Sequence, residues 1–308
     1  MIRVRVPATS ANMGPGFDSL GVALNLYNRM SFEETDGGLE ITTRKPGGYV
    51  PDNENNLIYR AMKRIFDRTG YFPRGLRIEQ KSDIPMTRGL GSSSACIIGG
   101  MLAANVMSGY RLSYKEILDM AAEMEGHPDN VAPALYGGFC AACREDGRVE
   151  AKSVKLTPKL TFAVMIPDYF VATKQSRTVL PDMVSRADAS FNISRASLLT
   201  MALMSEDWEL LDTSCRDRLH QPYRSAYIDG MEEIFAQSRI SGAKAAYLSG
   251  SGPTIVAILT EGREQFCRRM EDFFRENSHK WTCRLLSADN VGAVVSQRPD
   301  TGSRRERM

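Results

Sequence analysis

The stretch "GLGSSSACIIGG", residues 89–100, places glycines and serines directly before a run of small apolar residues. Glycine adopts backbone conformations that other residues avoid, so this segment can bend tightly before the helix that we predict over residues 93–108. The first amides of a helix lack intrahelical partners, and that end of the helix carries a partial positive charge. The stretch therefore favours an anion site, for which phosphate is the natural ligand.

The loop matches neither of the two common phosphate-binding patterns. A Walker A loop, GxxxxGK[ST], requires a lysine that is absent here, and Ser94 stands where GxGxxG requires its third glycine. Taken alone, the loop is as consistent with a flexible turn and a serine helix cap as with a phosphate site.

Composition and charge exclude several classes of protein. The 308 residues include 39 Lys and Arg against 37 Asp and Glu, a net charge of +2. This balance argues against a nucleic-acid surface as the main function, although it leaves room for a local basic pocket. No apolar run approaches the roughly 18 residues of a membrane helix, and the start "MIRVRVPATS" lacks a secretory signal. We expect a cytoplasmic protein without nucleic-acid or membrane partners.

Six cysteines are scattered without the spacing of a disulfide framework. The segment "CAAC", residues 140–143, has the spacing of a redox or zinc half-site, but no second pair and no nearby histidine supports a metal. We interpret Cys140 and Cys143 as small buried residues of a strand.

Strands and helices follow one another without a strict βαβ rhythm, which predicts an α+β fold in two lobes, residues 1–157 and 158–308. "IRVRV" alternates as a half-buried strand does, and "LGVALNLYNRMSFEE" predicts a pair of strands. Helices are expected over 54–69, closed by Gly70, and over 113–125, opened by a Ser113/Glu116 capping box. The tail from residue 296 is expected to be loose.

Two further glycine-rich segments accompany the opening loop: "PATSANMGPGFDSLG" (7–21) and "LSGSGPTIVAI" (248–258). With "PMTRGLGSSSA" (85–95) between them, they resemble the three motifs of the GHMP small-molecule kinases, in the same order and over nearly the whole chain. The resemblance implies the two-lobed GHMP-kinase fold, with an N-terminal ATP-binding lobe and with adenine and ribose against residues 53–61. It implies that the ATP phosphates are bound by Pro85, Met86, Thr87, Arg88, Gly89, Leu90, Gly91, Ser92, Ser93, Ser94 and Ala95.

Within that family the chain resembles the homoserine kinases most. The segments that carry this likeness are "TSANMGPGFDSLGVALNLYN", "EGHPDNVAPALYGGF" (125–139), "TKQSRTVLP" (173–181) and "DRLHQPYR" (217–224). They imply Mg²⁺-dependent transfer of phosphate from ATP to the side-chain hydroxyl of L-homoserine, which gives O-phospho-L-homoserine in threonine biosynthesis. Departures are modest: Arg88 precedes Gly89, and a basic tail follows the last strand.

The resemblance also implies roles for single residues. L-homoserine is a small zwitterion, which fits Asp18 as partner of its ammonium group and two arginines as partners of its carboxylate, because the planar guanidinium matches a carboxylate. No general base is identified. The implied roles are catalytic for Asn12 and Thr173, substrate-binding for Asp18, His127, Asn130, Arg177 and Arg224, and metal-binding for Ser93 and Glu125.

Each of these residues also has a structural interpretation. His127 precedes a proline and is typical of a capping or structural histidine, and Asp18 and Asp129 are typical of helix caps. Arg177 and Arg224, taken alone, are typical of solvated surface charges.

Other functions stay open at this stage. A related kinase could phosphorylate L-threonine or an isoprenoid alcohol, although an isoprenoid acid has no ammonium group for Asp18. A non-catalytic member could bind a ligand and report it to a partner, but it would tolerate loss of Ser93 or Glu125, and both are present. A chance likeness of glycine-serine turns is the last alternative. The oligomeric state is open, with a homodimer among the alternatives.

Overall fold

The chain folds into two β-sheets with helices packed against them. The structure, a computed structural model, describes residues 1–44, 50–171 and 173–297, without the side chains of residues 173–175. The strands are β1 (Ile2–Asn12), β2 (Gly16–Thr35), β3 (Gly38–Arg44), β4 (Gly75–Ser82), β5 (Phe139–Glu145), β6 (Arg148–Val154), β7 (Thr161–Pro167), β8 (Ala245–Leu248), β9 (Ile255–Leu259), β10 (Trp281–Leu286) and β11 (Val294–Gln297). The helices are α1 (Leu57–Thr69), α2 (Ser92–Met107), α3 (Tyr114–Glu125), α4 (Pro128–Tyr136), α5 (Thr173–Thr178), α6 (Arg186–Ser205), α7 (Leu211–Ser214), α8 (Gln221–Arg224), α9 (Met231–Ile240) and α10 (Arg263–Glu276), with 3₁₀ turns at Trp208–Leu210 and Ser225–Tyr227.

The first sheet has the strand order β11-β1-β2-β4-β3, and β5 and β6 extend from β2. Its pairs are antiparallel except β3 with β4, which are parallel. Residues 20–34, predicted as a strand pair, lie within the single strand β2, so that prediction is wrong. Asn25 and Asn28 interrupt the apolar pattern, yet both stay in the strand because their amide oxygens accept hydrogen bonds from Ser287 and Gln80.

Helices α1, α2 and α3 follow the predictions closely. Asn56 caps α1 and Gly70 closes it in the left-handed conformation, and the Ser113/Glu116 capping box at the start of α3 is confirmed. Residues 94–106 of α2 are buried on all sides of the helix, as its largely apolar composition requires. A Cβ on Gly99 would strike Met30, and one on Gly100 would strike the carbonyl of Ile58. These glycines let α2 pack closely on the sheet and on α1.

The second sheet has the order β10-β7-β9-β8 and is entirely antiparallel. It begins at Thr161, just after the predicted boundary at 157, whereas β11 returns to the first sheet and pairs with β1. One buried apolar cluster includes residues of both sheets, such as Val6 and Tyr247. The α+β architecture is confirmed, and the division at 157 stays a prediction. Strands β3, β6, β10 and β11 were not predicted.

The two cysteines of the segment "CAAC" differ in exposure. Cys140 is buried on β5 but Cys143 is exposed, so the interpretation of both as buried residues is wrong for Cys143. Within the described ranges, no helix has the length and apolar character needed to cross a membrane. The tail was predicted to be loose from residue 296, but Ser296 and Gln297 belong to β11, so the prediction is wrong for these two residues. Residues 298–308 of the tail lie outside the described residues.

Candidate functional site

The three glycine-rich segments meet at one place. The Ser249 hydroxyl donates to the carbonyl of Gly89 over 2.6 Å and lies 2.7 Å from the Ser10 hydroxyl. The Thr9 amide donates to the carbonyl of Leu90 over 3.2 Å. The first and last segments are thus bonded to the middle loop although they lie far from it in sequence.

The middle loop turns into α2 at Gly91, whose φ of 66° is left-handed. A Cβ here would lie 1.9 Å from Oγ1 of Thr9, so only glycine fits between the loop and β1. The first α-helical bond in this turn runs from the Ala95 amide to the Gly91 carbonyl. The amides of residues 92–94 therefore have no acceptor inside the helix, which is the arrangement that favours an anion.

A cavity of about 280 Å³ lies in front of this helix end. Of the predicted phosphate-binding residues, Met86 to Ser93 line it, whereas Ser94 and Ala95 are buried within α2. Pro85 is not among the lining residues, and the Arg88 guanidinium is engaged by the carbonyls of Met86, Pro167 and Asp168. The cavity is lined by Asn12, Asp18, Val50, Pro51, Asn55, Asn56, Leu57, Ile58, Gln80, Met86, Thr87, Arg88, Gly89, Leu90, Gly91, Ser92, Ser93, Cys96, Glu125, His127, Asp129, Asn130, Arg177, Arg224, Gly250 and Ser251.

Ser93 and Glu125 meet at the start of α2. The Ser93 hydroxyl donates to Oε2 of Glu125 over 2.9 Å. Burial raises the pKa of Glu125, and the Ser93 hydrogen bond and the charge of His127 only partly oppose it. Hydroxyl and carboxylate oxygens suit a hard cation such as Mg²⁺. A cation here would favour the ionised carboxylate that burial disfavours, so the two side chains fit the metal role.

Asp18 forms a two-pronged ion pair with Arg177. Nη2 of Arg177 lies 2.7 Å from Oδ1 of Asp18, and Nη1 lies 3.2 Å from Oδ2. Both side chains are about one-third exposed. Asn12 fixes this aspartate because its Oδ1 accepts from the Asp18 amide and its Nδ2 donates to the carbonyl of Gly250. The two predicted substrate partners are thus bound to each other, and the Asn12 amide joins the first segment to the third.

Arg224 lies beside this pair and is almost fully buried. Its Nε donates to the carbonyl of Ser176, and its Nη1 donates to Gly250 and to Nδ1 of His220. Because Nδ1 of His220 accepts, its Nε2 carries the proton and donates to the carbonyl of Gly14. Burial, followed by the charge of Arg177, lowers the pKa of Arg224 to about 10, so the guanidinium remains charged at neutral pH.

His127, Asp129 and Asn130 line the same end of the cavity. Nδ1 of His127 lies 2.5 Å from Oδ1 of Asp129, and Oδ1 of Asn130 accepts from the Thr9 hydroxyl over 2.7 Å. Burial disfavours the charged imidazole, but the Asp129 hydrogen bond and the nearby carboxylates outweigh it and raise the pKa of His127. Donor atoms of Asp18, His127 and Asp129 lie within 4.8 Å of one another. Arg177 and His127 already bind these carboxylates, so the cluster suits a metal ion less than Ser93 and Glu125 do.

Comparison with known proteins decides the family. The models of the GHMP kinases N terminal domain and of the GHMP kinases C terminal match residues 56–138 and 199–276. The homoserine kinase of Clostridium beijerinckii is 46% identical over 296 residues, which cover 96% of this chain and 98% of that protein. The homoserine kinase of Caldicellulosiruptor bescii is 45% identical and covers 99% of this chain and 100% of its own. The chain belongs to the homoserine kinases of the GHMP kinase family.

The fold agrees with this membership. A crystal structure of homoserine kinase from Cytophaga hutchinsonii superposes with a TM-score of 0.86 at 29% identity, over 96% of this chain and 97% of that one. The likeness extends across both sheets, so the geometry above is that of a homoserine-kinase fold.

Two site residues of this homoserine-kinase chain were missed by sequence reasoning. The Phe17 ring lies 5.6 Å from the Arg177 guanidinium and 5.4 Å from that of Arg224, and it stacks on His220. Phe17 directly precedes Asp18, so its place in the motif was the available signal. His220 lies four residues before Arg224, a spacing that predicts contact on a helix, but its role in fixing the guanidinium depends on the buried carbonyl of Gly14.

Thr173 is the remaining predicted catalytic residue. It is the first residue of α5, and its side chain lies outside the described part of the chain. The carbonyl of Ser176 in the same helix accepts from Arg224. This hydrogen bond joins helix α5 to Arg224 of the substrate site. The catalytic role of Thr173 stays a prediction.

Proposed function

We propose that this protein transfers the γ-phosphoryl group of ATP to the side-chain hydroxyl of L-homoserine and releases O-phospho-L-homoserine, a step of threonine biosynthesis. One observation carries the proposal: Asp18, Arg177 and Arg224 converge in the cavity onto which the N-terminus of α2 opens. A phosphate site and a site for a small zwitterion thus share one volume.

The nucleotide extends from the start of α2 toward α1. The unpaired amides of residues 92–94 and the positive end of the helix dipole bind phosphate oxygens. Asn55, Leu57 and Ile58 line the far part of the same cavity and support the predicted place of adenine and ribose within residues 53–61.

Ser93 and Glu125 would hold Mg²⁺, which when bound would supply positive charge near the phosphates. The fit depends on their oxygen donors and on the carboxylate of Glu125, whose pKa is raised by desolvation. The unpaired amides at the start of α2 would carry the remaining stabilisation of the phosphate charge, because the loop has no lysine.

The ammonium and carboxylate groups of homoserine are each bound by a side chain of opposite charge. Arg177 is bonded to the Asp18 carboxylate, whereas Arg224 donates to neutral acceptors in its described hydrogen bonds, so the charge of Arg224 is available to the substrate carboxylate. Oxygens of Asp18 keep lone pairs for the ammonium group while they bind Arg177. Phe17 and His220 hold the arginines in place, which reduces the entropy lost on binding. The Asn130 amide and His127 complete the pocket wall.

Catalysis in this reaction class depends on positioning and electrostatic stabilisation more than on covalent participation by the protein. The side chains and amides that line the cavity orient the hydroxyl and the phosphates, and no described side chain is assigned as general base. A cytoplasmic location belongs to the same proposal, because ATP and a free amino acid are its substrates.

The experiment is a coupled assay of ADP release with homoserine, threonine, mevalonate and galactose, each with and without Mg²⁺. We expect turnover with homoserine that requires Mg²⁺, and much slower turnover with threonine, whose hydroxyl is secondary and differently placed. Preference for threonine or mevalonate would overturn the substrate assignment. Binding of homoserine without any ADP release would instead support a non-catalytic, ligand-sensing member.

A further inference from the structure

The first sheet has one covered and one open face. Val4 and Val6 of β1 are buried beneath α2, and Arg3 and Arg5 alternate with them toward the opposite side. The open face forms a second cavity of about 560 Å³, whose described lining shares Gln80 with the nucleotide cavity and differs from it otherwise.

Four basic residues form a row across the strands of this face. The strand register places Arg5 opposite Arg29, Arg29 opposite Lys81, and Lys81 opposite Arg44. Like charges directly opposite on neighbouring strands destabilise a sheet. With strands about 4.8 Å apart, the row extends over about 14 Å. A row of this kind costs folding stability that an anionic ligand would recover.

Acidic side chains neutralise the positive charge of this row only in part. Asp83 lies 2.5 Å from Nη1 of Arg29, at the edge of the row. Glu79 lines the same cavity, and its carboxylate accepts from Ser31 over 3.4 Å. Among the described residues lining the cavity, five are basic and Glu79 is the single acidic one. The groove therefore keeps a strong positive charge in a chain whose net charge is only +2.

Two arginines of the row are held in place before any ligand arrives. The guanidinium carbons of Arg5 and Arg29 lie 4.6 Å and 5.2 Å from the centre of the Tyr27 ring. Nε of Arg5 is shielded from solvent and has no hydrogen-bond partner within the described ranges. A guanidinium that is already stacked on a ring has fewer conformations to lose when it binds an anion.

We propose that this groove, defined by Arg3, Arg5, Arg29, Lys81 and Arg44, binds a linear anion that carries several phosphate groups in a row. A chain of phosphates matches both the length and the linear spacing of the cations. Single-stranded nucleic acid fits less well because it is bound through aromatic stacking platforms, and the ring beside the groove, Tyr27, already lies against the guanidiniums of Arg5 and Arg29. A second copy of the chain, placed by a two-fold axis, would bring the same basic row against itself.

The test is calorimetric titration with tripolyphosphate while a non-hydrolysable ATP analogue with Mg²⁺ saturates the nucleotide cavity. We expect one site in the wild type, and at least tenfold weaker binding in the Arg5→Gln/Lys81→Gln variant. The matched control is Arg268→Gln/Arg269→Gln, which removes the same charge from exposed positions on α10 and should change the affinity less than twofold. Homoserine phosphorylation should stay unchanged in both variants, so this test is independent of the proposed function.

Equal loss of tripolyphosphate binding in the groove variant and in the control would show that binding depends only on the net charge of the protein, and it would overturn the proposal. Equal affinity in wild type and groove variant would also overturn it. Single variants Arg5→Gln and Lys81→Gln keep the test usable if the double variant fails to fold.

A second molar equivalent of the ATP analogue bound in the groove would identify a nucleotide as the source of the phosphate chain. Tighter binding of a single-stranded oligonucleotide, or a groove-dependent dimer in light scattering, would assign the face to another partner and overturn the proposal.

Discussion

At the scale of single residues, the two arginines of the substrate site differ in how the protein holds them. Arg177 is about one-third exposed and is held by Asp18, whereas Arg224 is buried and donates to three acceptors of the protein. Removing a buried partner leaves unsatisfied polar groups, and removing an exposed ion pair does not.

We therefore expect Arg177→Ala and Arg224→Ala to separate affinity from stability. Each should lower kcat/KM for homoserine roughly 10- to 100-fold, since a lost charge-assisted hydrogen bond costs about 1.5–3 kcal/mol. Arg177→Ala should lower the free energy of unfolding by less than about 1 kcal/mol, and Arg224→Ala by about 1–3 kcal/mol. Steady-state kinetics and urea unfolding measure the two effects, and the KM for ATP should stay nearly constant.

Homoserine amide provides the control, because it lacks the carboxylate. The wild type should use the amide poorly, and neither arginine variant should lose much more on it. Equal impairment on amide and acid would show that the guanidiniums do not bind the carboxylate.

Glu125→Gln should raise the Mg²⁺ concentration needed for half-maximal rate at least several-fold. The substitution keeps the shape and an acceptor for Ser93 but removes the charge that attracts the cation. The control is Glu123→Gln on the same helix, where Glu123 forms an exposed ion pair with Arg64. An unchanged Mg²⁺ titration in Glu125→Gln would restrict Glu125 to a structural hydrogen bond.

The sequence predicted which residues line the site better than how they are bonded. Asp18, Arg177 and Glu125 were predicted from the resemblance of their motifs to the GHMP kinases, because the residue type alone is equally typical of a cap or a surface charge. The ion pair between Asp18 and Arg177, and the support that Arg224 receives from His220, depend on side chains that the fold brings together. Only the folded geometry shows that these pairings exist.

At the scale of elements, the sequence predicted a helix or strand correctly where the interactions that form it lie within one segment. The capping box of α3 is an example, since Ser113 and Glu116 satisfy each other within one turn. Strand β11 is a contrasting case: it is a short edge strand with mostly exposed side chains, so it lacks an apolar alternation. Its place beside β1 depends on pairing with a strand at the opposite end of the chain.

The capping box predicts a pH dependence of stability. The Ser113 amide, and then its hydroxyl, lower the pKa of Glu116 below its ordinary 4.5. A carboxyl group with a lowered folded pKa stabilises fully above its unfolded value, and this contribution is lost as pH falls through the folded value. The difference in unfolding free energy between wild type and Glu116→Gln should therefore shrink as the pH falls from neutral to below the ordinary carboxyl pKa.

Urea unfolding at several pH values measures this difference. Glu54→Gln, at an exposed position outside any helix, should show no such trend. A constant difference between wild type and Glu116→Gln across this range would contradict the capping role of the ionised carboxylate.

At the scale of the whole molecule, the phosphate loop depends on residues from both ends of the chain. Ser249 is buried, and its hydroxyl contacts both Ser10 of the first segment and the carbonyl of Gly89 in the loop. The loop is thus positioned by contacts that span 160 and more residues. The order of motifs in the sequence implied their convergence, but not this hydroxyl as the shared point of contact.

Ser249→Ala should therefore weaken nucleotide binding although residue 249 is outside the loop. The change leaves the Gly89 carbonyl without its side-chain donor, which should lower the free energy of unfolding by about 1–3 kcal/mol. Because the loop amides bind phosphate only when correctly oriented, the KM for ATP should rise several-fold, while the KM for homoserine changes less. Ser197→Ala, at an exposed helix position whose hydroxyl bonds to the preceding turn, should alter neither. A Ser249→Ala variant with reduced stability but normal ATP affinity would contradict this prediction. It would mean that the loop keeps its conformation without the Ser249 hydrogen bond. The contact between the first, middle and third segments would then stabilise the fold without affecting nucleotide binding.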